Sequence, residues 1–292
     1  MILIRAYSPL GFYPAETLSH PQGVFVLDDD LIYSAVPEFE VHIEGHTPDR
    51  MWVNPAEIKL LSALALSVQH CSGKVYAYPD VLPARVELDS HEELTDTSTQ
   101  EYLKEKLVDE ISSRESDHDP LFYTPVPQPP RFSEHVYQHN ENASDLTHQR
   151  EVFESIDLED DLLIRGLGAL LKGELLNVHQ VFHTEACLSL YIAMEASMHI
   201  IYRRLEADME NPGPEDASRY LADAFNNNRM PDRYFGEFYD DRIRTIHPNS
   251  VKFGAFPYAP LSADDYYDLY DGLRSVYDFL VTGRIDPAFE GH

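Results

Sequence analysis

Between residues 158 and 282, apolar side chains recur at the three- and four-residue spacing of an α-helix. The segments with this pattern are residues 158–176, 184–209, 215–225, 232–246 and a last helix that begins at Ser262. No strand pattern interrupts them, and proline, glycine and asparagine clusters separate them. Consecutive helices of this kind predict an all-α helical bundle over residues 151–285, followed by a tail at residues 286–292.

Local signals refine the helix ends. Thr184 is a candidate cap for the longest helix, and Ser262 with Asp265 resembles a capping box at the start of the last helix. Gly166 and Gly168 loosen the pattern of the first helix, because glycine lowers helix propensity. These signals set the expected boundaries of the bundle.

The last helix shows the clearest division of faces. Its expected inner stripe is apolar and aromatic and comprises Tyr266, Leu269, Tyr270, Leu273, Val276, Tyr277 and Leu280. Its aspartates are expected mostly on the opposite face, at Asp264, Asp268, Asp271 and Asp278. We interpret the stripe as core or dimer interface rather than as a platform on which bases stack.

The first 90 residues mix strand and helix patterns. Strands are predicted at the short apolar runs 1–6, 24–27 and 75–78 and at the strictly alternating residues 39–44. The dipeptide Asn54-Pro55 supplies a helix cap and a first-turn proline. A small α+β domain is therefore predicted at residues 1–90, which makes the fold class of the chain α+β overall.

Residues 91–150 differ from both neighbouring regions. Residues 87–119 are strongly acidic, with a helix predicted near residues 100–112, and closely spaced prolines follow at residues 120–130. Such prolines favour an extended path. We interpret residues 91–150 as an acidic and then proline-rich linker or strap, with a ligand for a proline-recognition module as the alternative.

The net charge restricts the partners of the chain. It has 51 acidic residues against 22 Lys and Arg, a formal net charge of −29. A surface this negative repels polyanions and anionic lipid, which argues against extended tracking of nucleic-acid phosphates. The two cysteines lie far apart, and the sequence has no secretory signal and no bilayer-length apolar run. The expected location is cytoplasmic, with no membrane partner.

The sequence DRIRTIHP at residues 241–248 has the residue types that phosphoryl chemistry needs. Its proline ends the helix, so His247 is expected at a helix carboxyl end, where the helix dipole favours the protonated imidazole. A guanidinium such as that of Arg242 holds phosphate oxygens in a bidentate way, and an imidazole moves a proton near neutral pH. The simpler alternative is that Arg242 pairs with Asp240 or Asp241 while His247 caps the helix.

The order of elements around this motif resembles the HEPN family, in particular its ApeA-like branch. A long helix that ends in Arg203-Arg204 comes first, and a second element, the motif and a capped final helix, DDYYDLYDGLRSVYDFL, follow. The family motif is Arg-x(4–6)-His, usually with Asn, Asp or His directly after the arginine. Arg242 and His247 match it, and Ile243 stands where the polar residue belongs. The resemblance covers less than half of the chain.

The resemblance implies a helical bundle that forms a homodimer around the motif, with RNA or a nucleotide as ligand and no cofactor. Two copies of Arg242 and His247 would form a metal-independent endoribonuclease site, with the RNA 2′-hydroxyl as nucleophile. Asp241, Ile243 and Arg244 are the supporting candidates beside them. Family analogy alone points to a bacterial stress or defence system.

A second hypothesis stays open beside the endoribonuclease. The bundle is then a non-catalytic module that dimerises or binds a regulatory protein or a nucleotide. Ile243 and the net charge favour this hypothesis.

Two further pairs are spaced to share a helix face. Glu195 and His199 are expected to make a contact within their helix or to line the bundle, and a position near the Arg–His motif is the alternative. His179 and His183 are weak metal candidates, because the spacing is not H-E-x-x-H and no third ligand is identifiable. A polar helix junction is the preferred interpretation of the second pair, and no metal is expected.

Overall fold

The computed structural model contains two compact units, the first comprising Met1–Leu64 and Cys71–Leu146 and the second Ala65–His70 and Thr147–His292. The residues that the structure describes are 2–10, 16–20, 23–27, 32–37, 55–67, 76–79, 84–88, 94, 96–116, 146–177, 180–227, 236, 238, 262–287 and 289–290. The described elements are a sheet and helices in the first unit and helices in the second. The predicted fold class, α+β, is confirmed.

An antiparallel sheet forms the centre of the first unit. Its strands are β1 (Ile2–Leu10), β2 (Glu16–His20), β3 (Gly23–Leu27), β4 (Ile32–Pro37), β5 (Tyr76–Pro79) and β6 (Ala84–Val86). The order is β2-β3-β4-β1-β5, and β6 also pairs with β1. The strands predicted at residues 1–6, 24–27 and 75–78 are confirmed, whereas residues 39–44 lie outside the described residues. Sequence patterns missed three strands, β2, β4 and β6. Of these, β2 is a short, polar edge strand, as edge strands often are.

Two described helices belong wholly or mainly to the first unit. Helix α1 (Pro55–Leu66) begins at the predicted first-turn proline, and α2 (Thr97–Ser116) contains the helix predicted near residues 100–112. Leu103 and Leu107 of α2 are buried in one core with the apolar side chains of β1, β3 and β4. Residues 97–116 are therefore a packed element rather than part of a linker. Two leucines one turn apart give this charged helix a buried face. The proline-rich residues 120–130 lie outside the described residues.

A buried ion pair connects β1 to α1. The Nε of Arg5 donates to Oε1 of Glu57 at 2.7 Å, and both side chains are almost fully excluded from solvent. The hydroxyl of Ser34, on the neighbouring strand β4, donates to the same oxygen at 3.3 Å. Two buried charges and one buried hydroxyl thus satisfy one another, and removal of one member takes a partner from the others.

The helices of the second unit are α3 (Leu146–Ser155), α4 (Asp161–Asn177), α5 (His183–Leu205), α6 (Pro214–Phe225) and α7 (Ala263–Thr282), with a 3₁₀ turn at Gln180–Phe182. Helices α4 to α7 confirm four of the predicted segments. Of the segment predicted at residues 232–246, the structure describes Gly236 and Phe238, which is too little to test a helix. Helix α3 was missed, because it lies across the boundary predicted near residue 150. The predicted tail is held at Phe289, whose carbonyl accepts from Asn227 at 3.0 Å.

The helix caps and buried faces match those predicted from the sequence, with two exceptions. The backbone N–H of Asp265 donates to the Ser262 hydroxyl at 3.1 Å, so the predicted cap of α7 is confirmed. The aromatic stripe of α7 is buried as predicted, with exposures of 0–5%. Thr184 is not a cap, because α5 already begins at His183 and Phe182 takes the cap position. Asp278 is not on a solvent-facing side, because its residue exposure is only 7%.

Gly166 allows α4 to pack closely against α7. A Cβ at this position would lie 2.8 Å from Cζ of Tyr277 and 3.0 Å from Cβ of Ala196, and still closer to the Tyr277 hydroxyl. That hydroxyl donates a buried hydrogen bond to the carbonyl of Ala193 at 2.6 Å, so it has a fixed place. The absent side chain of Gly166 is therefore a packing requirement.

The Arg5–Glu57 pair gives a prediction about stability. Arg5→Met should lower the free energy of unfolding of the first unit by about 3–5 kcal/mol, because it takes the Arg5 cation from the buried Glu57 carboxylate. The double variant Arg5→Met/Glu57→Met should recover most of this loss, since it removes both charges of the pair. Urea denaturation measures both values, with Lys106→Met, an exposed cation of α2, as control. Equal stability of Arg5→Met and wild type would contradict the prediction.

Gly166→Ala gives a second prediction, in which the sign of the effect is decisive. In an exposed helix this change stabilises by about 1 kcal/mol. Here the Cβ overpacks the site, and we expect a loss of about 1–3 kcal/mol. The loss should shrink in a Tyr277→Phe background, because the hydroxyl that meets the new Cβ is gone. A stabilised Gly166→Ala variant would show that α4 and α7 are not packed this closely.

Candidate functional site

The predicted catalytic pair lies outside the described residues. This holds for Arg242 and His247 and for the supporting candidates Asp241, Ile243 and Arg244. It also holds for the weak metal candidate His179. What the structure describes is the set of helices on either side of the motif and three groups of polar side chains within the second unit.

The other supporting candidates, Glu195 and His199, lie one turn apart on α5. Glu195 is half-buried and His199 is exposed. The imidazole of His199 makes an edge contact with the Tyr202 ring, at 5.6 Å between ring centroids. Their distance from the Arg–His motif stays untested, because the motif itself is not described.

The arginine pair at the end of α5 makes contacts within the protein. Arg203 binds the Asp160 carboxylate with both terminal nitrogens, one of them at 3.2 Å. Burial raises the pKa of Asp160, but the hydrogen bonds and charge of Arg203, with backbone donors, outweigh it and lower that pKa overall. Arg204 donates to the Leu280 carbonyl and, at 3.3 Å, to the Tyr220 hydroxyl. The pair thus holds the end of α5 against its neighbours.

A polar group lies where α4 and α7 meet the beginning of α5. The His183 ring contacts Oδ1 of Asn177 through Nδ1 at 3.1 Å and Sγ of Cys187 through Nε2 at 3.8 Å. The Asn177 amide also donates to the Tyr267 hydroxyl at 3.4 Å. The Tyr266 ring lies 5.5 Å from the His183 ring, measured between centroids. His183 therefore lies in a polar helix junction.

The contacts in this junction run from Asn177 through His183 to Cys187, and an imidazole in this position can activate a thiol. Asn177 accepts from Nδ1–H of His183, which leaves Nε2 as an acceptor beside the Cys187 thiol. However, Cys187 is fully buried, so the thiol is not presented to a substrate in solvent. The Tyr266 hydroxyl is also buried, and burial, with the charges of nearby groups such as Glu174, raises its pKa. The geometry is that of a packed junction.

A third polar group was missed by the sequence. Nε2 of His148, on α3, lies 2.9 Å from Oδ2 of Asp278 on α7, and both side chains are nearly buried. A helical projection places Asp278 far from the aromatic stripe. The side of α7 opposite the stripe is nevertheless covered at this point, since Gly272 and Ser275 are buried as well. A long acidic run gives no sign of which aspartate is buried, and a lone histidine in a predicted linker gives no sign of its partner.

Two general features bear on function. Among the described residues, no three His, Cys, Asp or Glu side chains are grouped so that they could hold a metal ion. The helices that the structure describes include none with the length and apolar character needed to cross a bilayer.

Comparisons of the chain with protein-family models, with curated proteins and with solved structures found no match.

Proposed function

We propose that the second unit is a HEPN-like helical module that acts on RNA through Arg242 and His247 from two copies of the chain. One observation carries the proposal, namely the order of elements around the motif. The long helix α5 ends in Arg203-Arg204, the short helix α6 follows, and the motif precedes the capped final helix α7. This order is the one on which the resemblance to the family depends.

The residue types suit a cleavage that needs no metal. The RNA 2′-hydroxyl attacks the adjacent phosphorus, the 5′-oxygen leaves, and the products are a 2′,3′-cyclic phosphate and a 5′-hydroxyl end. His247 of the two copies takes the proton from the nucleophile and returns one to the leaving oxygen. Arg242 stabilises the negative charge that grows on the phosphoryl oxygens in the transition state.

The charge of the protein favours a narrow substrate. At a net charge of −29, long RNA is repelled unless local cations offset the field. Arg203 and Arg204 already bind groups of the protein itself. A short or folded RNA, or a nucleotide, that reaches Arg242 and Arg244 with few phosphates is therefore the proposed ligand class.

A second candidate function is a non-catalytic module that dimerises or binds a partner. Ile243 favours it, because an apolar side chain stands where the family has a polar one. Internal pairing of arginines favours it too, as in Arg274 with Asp271 at 3.4 Å and Arg219 with Asp216 at 3.5 Å. A carboxylate beside an arginine offsets part of the positive charge that would attract a phosphate.

Substitution of the motif tests the enzyme proposal. His247→Ala and Arg242→Ala should each reduce RNA cleavage in EDTA by about 10²–10⁴-fold, because each removes a proton-transfer or charge-stabilising group. Denaturing gels with labelled RNA measure the rate, and the end chemistry shows whether cyclic phosphate forms. Arg165→Ala, an exposed cation of α4, is the matched control and should keep wild-type activity.

Ile243→Asn tests the same site with a substitution that should raise the cleavage rate rather than lower it. If the apolar residue limits catalysis, the polar replacement should raise the cleavage rate above that of wild type. This increase should vanish in the double variant with His247→Ala. Identical behaviour of wild type, Ile243→Asn and His247→Ala would remove the enzyme and leave the non-catalytic module.

A further inference from the structure

His148 connects the first turn of α3 to α7. Its Nε2 lies 2.9 Å from Oδ2 of Asp278, a residue 130 positions later in the chain, and its Nδ1 lies 3.4 Å from Oε2 of Glu151. The side chains of His148 and Asp278 are only 5% and 10% exposed. The contact is therefore a nearly buried link between two helices.

The two carboxylates indicate which protonation state of His148 fits the geometry. Both ring nitrogens face carboxylate oxygens, which accept hydrogen bonds and cannot donate when ionised. A neutral imidazole has a single N–H, so it would leave one nitrogen lone pair directed at a carboxylate. Only the imidazolium can donate to both Asp278 and Glu151, so the geometry favours the charged form.

Two further described groups lie near the pair. The Thr282 hydroxyl lies 3.0 Å from Oδ1 of Asp278 and 2.9 Å from the Asp278 carbonyl oxygen, and its one proton is shared between these two acceptors. Arg284, just after α7, adds a positive charge that opposes protonation of His148. Burial also lowers the pKa of His148, but the hydrogen bond and charge of Asp278, helped by Glu151, outweigh both and raise it above the usual 6.5.

We propose that His148 and Asp278 form a pH-dependent clamp that fastens the first turn of α3 to α7 while the imidazole is charged. The rest of α3 is held independently, because Val152 and Phe153 are 0% and 4% exposed. Loss of the proton therefore weakens this link, because the neutral imidazole keeps a single N–H for Asp278 and carries no charge. The apolar face of α3 stays packed. The clamp does not depend on Arg242 or His247, so it goes beyond the proposed function.

The direction of the switch follows from linkage. Because the folded-state pKa of His148 is raised, the clamp contributes its full stability below the unfolded value of 6.5 and loses it as pH rises through the folded value. The clamp is therefore strongest below the folded-state pKa of His148 and weakens as the pH rises through that pKa. Each unit by which the pKa is raised corresponds to a roughly tenfold more favourable closing equilibrium.

Two measurements on the full-length protein test the clamp. The first is an NMR titration of the His148 ring, which should show a midpoint above 6.5 in wild type and a lower one in Asp278→Asn, where burial acts without the charge. The second is hydrogen exchange of residues 146–151, corrected for intrinsic rates. Protection should fall from pH 6 to pH 9 in wild type and be low at both values in Asp278→Asn and His148→Gln.

His199→Gln is the matched control, since it replaces an exposed histidine of the same unit and should leave the pH dependence unchanged. A wild-type midpoint at or below 6.5 would overturn the clamp, and this measurement needs no variant to fold. Pronounced pH dependence of exchange that persists in Asp278→Asn would overturn it as well.

Discussion

The enclosure of α7 is the constraint on which the second unit depends. Tyr277 reaches a buried carbonyl of α5 because Gly166 of α4 leaves room for its ring. Asp278, the next residue, is enclosed on the other side and is matched by His148. The Leu280 carbonyl, near the end of the same helix, accepts from Arg204. Within a few residues, α7 thus packs the Tyr277 ring against Gly166, pairs a carboxylate with a histidine and offers a backbone carbonyl to an arginine. These contacts hold α3, α4 and α5 against α7.

The first unit also buries charged side chains, at the contact between its sheet and a helix. Its sheet and α1 meet at Arg5 and Glu57, which are charged and almost fully buried. A buried charge is tolerated when a partner of opposite sign and further donors satisfy it, and Ser34 supplies such a donor here. In both units, then, a basic side chain and a carboxylate from elements far apart in sequence meet in a nearly buried environment. Replacement of both members of such a pair by apolar residues is often neutral for stability, whereas removal of one member is costly.

The negative net charge of the chain restricts how it could act on RNA. An acidic protein that acts on RNA needs its few free cations at the site, and several described arginines of the second unit bind carboxylates or carbonyls of the unit itself. Arg242 and His247 could be singled out from the sequence because their residue types, spacing and place before the last helix carry chemical meaning. Whether two copies of the motif converge depends on assembly, which no local pattern encodes.

The sequence by itself determined the features that depend on neighbours within about four residues. Helical spacing predicted α4 to α7, the Ser262 cap and the aromatic stripe of α7, and short apolar runs predicted three of the strands. These features are local because helix hydrogen bonds, caps and faces join residues that are one turn apart. Tertiary structure decided which surfaces meet. It placed α2 in the core of the first unit, gave Gly166 a packing role, and buried Asp278 against a histidine 130 residues away. A periodicity cannot predict such contacts, because the partner that buries a residue lies on another element.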